Sequence, residues 1–141
     1  MESLKFGVEY GVIGLLGFLG MWALLIAVER WRFYGLVDPS KFATLETFEM
    51  ALTKRLVVIG TIAANAPYIG LLGTVLGIML TFHTMGTSGA MAVSSIMVGL
   101  SLALKATAVG LLVAIPCVVM NNLLRRRVSE LMTRYEAQHG T

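Results

Sequence analysis

The run from Leu56 to Leu104 contains no lysine, arginine, aspartate or glutamate. A helix crosses the hydrocarbon core of a bilayer with roughly 20 apolar residues, so this run is too long for one ordinary span and too apolar for a loop. Its one turn-rich break is the segment 85–90, with the sequence MGTSGA. The run therefore predicts a hairpin of two membrane-spanning helices, with its turn around Gly86.

The composition of the whole chain agrees with a membrane location. Apolar residues make up 57% of the 141 residues and charged residues 13%, against about 25% charged in ordinary soluble domains, and the mean hydropathy is +0.80. Such a chain supplies three or four spans and has no room for a conventional catalytic domain. Because the sequence also shows no catalytic, metal-ligand or phosphate-binding pattern, we expect no enzyme, metal or cofactor.

The basic residues lie beside the apolar segments, between Arg30 and Arg55 and after Leu124. Lysine and arginine accumulate on the cytoplasmic side of membrane proteins, so the net charge of +3 indicates anchoring and not a nucleic-acid partner. This places the N-terminus outside and the C-terminus inside. The chain is predicted to be a single membrane domain over 1–141, with spans at about 8–28, 62–85 and 91–124, a cytoplasmic segment at about 30–58 and a cytoplasmic tail at 125–141.

The cytoplasmic segment between the first two spans alternates apolar and charged residues from Lys41 to Arg55. This pattern predicts a short amphipathic helix on or near the membrane surface, with Asp38 or Ser40 as its N-cap.

The second and third spans each carry a face of small residues about 100° wide, counted at 100° per residue. Membrane helices associate through close backbone approach at such residues, so the two faces predict helix packing inside a bundle. Pro67 and Pro116 are predicted to kink the two spans. The faces contain Ala63, Ala66, Gly70, Gly73, Thr74, Gly77, Thr81 and Thr84 in the second span, and Gly99, Ala103, Ala106, Thr107, Gly110, Ala114, Cys117 and Asn121 in the third.

Polar residues at mid-span are the candidate functional residues. Lys105 lines up with Ser101 and Ser94 on the third span, nearly opposite its small-residue face. A mid-span cation either pairs with an anionic partner or lines a cavity, or it snorkels to an interface. No acidic residue occurs in the second or third span, so a pairing carboxylate is expected from another chain. Thr74 and Thr107 either bond back to their own helices or, in a water-filled bundle, serve a proton path.

Two segments carry a family resemblance: 66–79, APYIGLLGTVLGIM, and 103–116, ALKATAVGLLVAIP. They resemble the ExbB/TolQ family of proton-channel proteins, which is related more distantly to the MotA flagellar stator. The pair Glu29-Arg30 that closes the first span is similar too. The resemblance covers roughly Leu25 to Arg127.

The resemblance implies an inner-membrane motor subunit that forms an oligomeric helical ring, a homopentamer, around the span of an ExbD-like partner. Proton flow through that complex would drive a TonB-like protein for outer-membrane uptake of iron chelates and cobalamin. Thr74 and Thr107 match the family's pore threonines, and the titrating aspartate belongs to the partner. The chain departs from the family at Leu102, where members commonly carry glutamate, and at Lys105, where many are apolar.

Two alternatives stay open. The chain could be a TolQ-like subunit of an envelope-integrity motor, which the sequence separates poorly from the ExbB-like type. It could also be a small membrane scaffold or transporter subunit that conducts nothing. A MotA-like flagellar stator is disfavoured, because such proteins have four spans and a charged cytoplasmic domain.

Overall fold

The computed structural model describes residues 2–88 and 92–139, and within them every regular element is helical. Three long helices are apolar enough to cross a membrane, over Phe6–Leu36, Leu56–Thr87 and within Val93–His139. This confirms the predicted all-α membrane protein with three spans. The elements are α1 (Glu2–Leu36), a 3-10 turn (Pro39–Lys41), α2 (Leu45–Thr53), α3 (Leu56–Ser88) and α4 (Val93–His139).

The long helices extend beyond the thickness of a bilayer. At 1.5 Å per residue α1 is roughly 50 Å long and α4 roughly 70 Å, against about 30 Å for the hydrocarbon core. Helix α4 continues through the three arginines 125–127 that close the predicted third span. The residues expected to form a cytoplasmic tail are therefore helical up to His139.

The predicted turn at 85–90 is shorter than expected. Helix α3 continues through Met85 and Gly86 to Ser88, and the Thr87 hydroxyl donates a hydrogen bond to the His83 carbonyl of the same helix (3.1 Å). Continuing the helix keeps these backbone groups satisfied without water, which an apolar environment favours. The rest of the predicted turn, 89–90, lies outside the described residues.

The predicted amphipathic helix at 41–55 begins later than expected, and its predicted cap is wrong. Thr44 caps α2 by accepting a hydrogen bond from the Thr47 amide (3.1 Å). Asp38 instead caps the preceding 3-10 turn, where its carboxylate accepts hydrogen bonds from the hydroxyl and the amide of Ser40. These bonds favour the ionised carboxylate and lower the pKa of Asp38.

Side chains at the ends of α1 and α4 donate hydrogen bonds to the backbone of α2 and of the segment just before it. Arg30 donates to the Ala51 carbonyl (2.7 Å) and Tyr34 to the Leu52 carbonyl (2.6 Å). From α4, the Tyr135 hydroxyl donates to the Phe42 carbonyl (3.0 Å), and its ring stacks on the fully buried Phe48 at 5.0 Å between centroids. We call this end of the bundle the α2 end.

Helices α3 and α4 approach until their backbones touch. A Cβ added to Gly70 would lie 2.7 Å from the Ala106 carbonyl oxygen, and one added to Gly110 would lie 2.7 Å from the Ala66 carbonyl oxygen. A Cβ on Gly77 would lie 2.8 Å from the Cβ of Ala103. These spacings leave no room for a side chain, so glycine is required for this helix pair.

Helix α1 packs along one side of the α3–α4 pair. Leu16 is fully buried in a cluster with Ala66 and Ala114. A Cβ on Gly20 would meet Val113 of α4 at 3.3 Å, and one on Gly73 of α3 would meet Val12 at 2.9 Å. Helix α1 therefore contacts both other spans and runs parallel to α4.

We expect Gly70→Ala to lower the stability of the folded subunit by about 1–3 kcal/mol, because the added methyl meets backbone atoms that cannot move aside. Thermal unfolding in detergent, followed by circular dichroism, measures the effect. Gly14→Ala is the matched control, since a Cβ there has nothing within 4 Å. Equal melting temperatures for the two variants would contradict the close-packing interpretation.

Candidate functional site

The hydroxyls of Thr74 and Thr107 meet at the contact between α3 and α4. Thr74 lies one turn after Gly70, and Thr107 lies three residues before Gly110, so the glycine contact brings the two threonines to the same depth. Their Oγ1 atoms form a direct hydrogen bond. Thr74 is only 7% exposed, whereas Thr107 is half-buried.

The hydroxyls of the threonine pair have hydrogen-bond acceptors in both helices. The Thr74 hydroxyl lies 2.9 Å from the Ala103 carbonyl oxygen and 3.3 Å from that of Gly70 in its own helix. A hydroxyl has one proton to donate, and the shorter contact takes it to Ala103 across the helix interface. The Thr107 hydroxyl has two acceptors within the interface, the Thr74 oxygen and the Gly70 carbonyl oxygen at 3.5 Å. Whichever of them takes its proton, the half-buried Thr107 oxygen can still accept a hydrogen bond from a group outside the pair.

The exposed edge of the threonine pair lies on the side of the subunit away from α1. Val109 packs in the cluster that joins α4 to Leu16 of α1. Thr107 lies two residues before Val109, about 200° around the helix, and so faces nearly the opposite way. A partner that reaches the Thr107 oxygen must approach from that side.

Lys105 and Ser101 do not join the threonine pair. Both side chains are exposed, and they lie on the face of α4 turned away from α3. Within 2–88 and 92–139 the structure gives Lys105 no ion pair. The predicted pore-lining residues thus form two separate groups, one between α3 and α4 and one on the outer surface of α4.

The residues predicted to serve helix packing and kinking are all placed by the structure. Gly99 is buried in α4, and Pro67 and Pro116 lie inside continuous helices. Each proline removes one backbone donor from its helix; the two kinks stay predictions. The other predicted packing glycines, at the α3–α4 contact, are Gly70, Gly73, Gly77 and Gly110.

Sequence reasoning missed Glu9. Its residue is 5% exposed, and both carboxylate oxygens are buried without a hydrogen-bond partner among the described residues. Glu9 precedes the fully buried Leu16 by seven residues and therefore shares its face of α1. A helical projection extended to the start of the span would have placed this acid on the packing face.

Metal-ligating side chains do not cluster in the part of the chain that the structure describes: it has no group of three or more His, Cys, Asp or Glu that could hold a metal ion. The polar groups that bear on function are the hydroxyls of Thr74, Thr107 and Ser101, the Lys105 ammonium and the buried Glu9 carboxyl.

The fold and these residues define a multi-pass membrane protein, a helical bundle whose two glycine-packed spans hold polar groups at mid-depth. The family model of the MotA/TolQ/ExbB proton channel family matches residues 42–137. The chain belongs to this family, which confirms the resemblance carried by the segments 66–79 and 103–116.

Several curated proteins are similar over nearly the whole chain. The Biopolymer transport protein ExbB of Aquifex aeolicus is 48% identical over 140 residues, which cover 99% of this chain and 95% of that protein. The Putative biopolymer transport protein ExbB-like 2 of Helicobacter pylori is 48% identical over 132 residues, covering 94% and 88%. Over a shorter stretch, the Tol-Pal system protein TolQ of Pseudomonas aeruginosa is 38% identical over 87 residues, which cover 62% of this chain and 38% of that protein.

A double-mutant cycle tests the threonine pair. Thr74→Val and Thr107→Val should each cost about 0.5–1.5 kcal/mol, and the double variant should cost less than their sum, because both remove the same hydrogen bond. Unfolding of the detergent-solubilised subunit measures the three values. The control cycle combines Thr74→Val with Thr87→Val, since Thr87 bonds only to carbonyls of α3. Additivity in the first cycle, as in the control, would exclude the interhelical bond.

Proposed function

We propose that this chain is the ExbB-type subunit of a proton-driven energy transducer in the bacterial inner membrane. With an ExbD-like partner it couples proton flow to a TonB-like protein, which powers active uptake of ligands such as iron chelates and cobalamin across the outer membrane. The N-terminus lies in the periplasm and the C-terminus in the cytoplasm. The similarity to the Aquifex aeolicus ExbB protein, over nearly the full length of both chains, supports this assignment.

The proposed assembly is a homopentameric ring. Large apolar side chains are exposed at mid-span on α3 and α4, including Leu72, Met79 and Leu112. Lipid could cover these, but Lys105 on the outer surface of α4 is costly against hydrocarbon. A neighbouring chain that covers this surface of α4 gives the lysine an environment other than lipid.

The observation that carries the proton-path proposal is the half-buried Thr107 hydroxyl. Its oxygen is free to accept at the surface away from α1, while its proton has acceptors inside the interface, Thr74 and the Gly70 carbonyl. A protonated carboxyl on a helix inside the ring, contributed by the ExbD-like partner, can donate to this oxygen. Neither threonine is an acid or base at physiological pH, so the pair positions the partner's acid and does not exchange protons itself.

Two alternatives are weaker. A TolQ-type motor subunit would share the threonines, but the Pseudomonas aeruginosa TolQ match covers only 62% of this chain and 38% of that protein. A scaffold or transporter subunit that conducts nothing would need the threonines for packing alone. Substitutions of Thr107 and Lys105 separate energy coupling from helix packing.

We expect Thr107→Val to lower proton-driven uptake about tenfold, the effect of losing a hydrogen bond worth about 1.4 kcal/mol. Uptake is measured in cells that carry this chain with its partner proteins. Thr107→Ser, which keeps the hydroxyl, is the control and should retain uptake. Equal uptake by both variants, in complexes that assemble normally, would favour the scaffold interpretation.

Native mass spectrometry of the purified complex checks that a pentamer with an ExbD-like chain forms.

Lys105→Leu should impair energy coupling while complexes still form, because the lysine is proposed to pair with a carboxylate of a partner chain and to stabilise its ionised form. Lys105→Arg keeps the positive charge and should retain most of the activity. Proton flux into liposomes reports the effect, with the subunit alone as the low-flux baseline and the complete complex as the reference. A fully active Lys105→Leu complex would exclude the pairing.

A further inference from the structure

A buried carboxyl in the first span has no hydrogen-bond partner among the residues that the structure describes. Glu9 lies within the apolar segment Phe6–Leu36 and is 5% exposed. Neither of its oxygens receives a hydrogen bond from any described group. An ionised carboxylate without a donor or a counter-charge is among the most costly groups to bury. Among the described residues, the packing therefore supplies Glu9 with neither a donor nor a counter-charge.

The depth of Glu9 follows from the parallel packing of α1 and α4. Gly20 lies against Val113. Eleven residues toward the N-terminus on each helix are Glu9 and Leu102, so the acid lies at the depth of Leu102. Val12 follows Glu9 by about one turn, toward the α2 end, and lies beside Gly73 of α3. Glu9 is therefore placed about one helical turn, roughly 5 Å, from the layer of the threonine pair, toward the end opposite α2.

The charged groups around this site are few. Helix α3 carries none, and its one titratable residue near this end, His83, has an exposed side chain. On α4, Lys105 lies one turn beyond Leu102, but it is exposed and has no ion pair among the described residues. On α1 itself, Lys5 precedes Glu9 by four residues, and its side chain is outside the described set.

We propose that Glu9 is a proton-binding site in the core of the subunit. In the packed bundle the carboxyl holds one proton; on release it becomes a carboxylate, which needs water or a cation beside it. Both oxygens are inaccessible while α1 packs on α3 and α4. Proton exchange therefore requires α1 to move, and the proton content of Glu9 is linked to the position of that helix. The use of this link in energy coupling rests on the proposed function, whereas proton binding does not.

Infrared spectroscopy of the full-length subunit, reconstituted without a partner protein so that no partner carboxyl contributes, tests proton binding directly. A protonated carboxyl in an apolar site gives a C=O stretching band that shifts when H2O is replaced by D2O after long equilibration. We expect this band at neutral pH in the wild type, its complete loss in Glu9→Gln, and its retention in Glu9→Asp. Glu46→Gln, which changes an exposed carboxyl on α2, is the control and should retain the band.

The competing arrangement is an ion pair of Glu9 with Lys105 or Lys5. In that case the wild type would lack the band, and it would appear in Lys105→Leu or Lys5→Gln; this outcome would overturn the proposal. A band that survives in Glu9→Gln would also overturn it, because the proton would then belong to another group.

Transport separates this proposal from the proposed function. Glu9→Gln should assemble normally and lower proton-driven uptake at least about tenfold, with Glu9→Asp restoring part of it. Full uptake by an assembled Glu9→Gln complex would overturn the coupling role of the site. If the proposed function itself is wrong, the wild type shows no proton-driven uptake, yet the infrared band is still lost in Glu9→Gln.

Discussion

The backbone contact between α3 and α4 is the constraint on which the rest of the subunit depends. Gly70 and Gly110 leave no space for side chains at that contact. Without a hydrophobic force between helices in a bilayer, close van der Waals contact and interhelical hydrogen bonds hold the helices together. The same contact decides how near the hydroxyls of Thr74 and Thr107 come and which carbonyl oxygens they can reach. Helix α1 then packs on a surface whose shape this pair of helices has already defined.

The two ends of α1 differ in the hydrogen-bond partners that the structure shows for their buried polar groups. At the α2 end, Arg30 is only 3% exposed but forms an ion pair with Glu29 at 2.6 Å and donates to a carbonyl of α2. Tyr34 and Tyr135 likewise have carbonyl partners. Satisfied groups of this kind rigidify a structure. Glu9, toward the other end of the same helix, has no hydrogen-bond partner among the described residues, so the polar contacts that the structure shows for α1 lie at the α2 end.

Three polar features lie on three different sides of the subunit at similar depth. The threonine pair opens away from α1, Lys105 lies on the outer surface of α4, and Glu9 is buried on the face of α1 that carries Leu16. Leu102 is where the chain departs from the resemblance, which implies a glutamate at this position. Glu9 lies at the depth of Leu102 but on another helix. An intramembrane acid is therefore present in this subunit, although the second and third spans contain none.

The sequence by itself determined the class of fold. A charge-free run that no single span can hold, together with arginines and lysines beside the apolar segments, leaves few arrangements other than a three-span helical bundle. Periodicity also identified the small-residue faces, because 100° per residue holds along any straight helix. The true cap of α2 at Thr44 and the helical course of 85–88 were not predicted, since local turn signals compete there with the backbone's need for hydrogen bonds.

Only the tertiary structure decided which polar residues meet. Thr74 and Thr107 are 33 residues apart along the chain, and their hydrogen bond depends on the register of two helices, which no local pattern specifies. The burial of Glu9 depends on where α1 crosses the α3–α4 pair. In the sequence Glu9 only follows Glu2 and Lys5 in a short segment of mixed charge. Its burial cannot be seen there, because residues far away along the chain form its surroundings. Helix periodicity is a local property of the backbone, whereas the environment of a side chain is set by packing between distant segments.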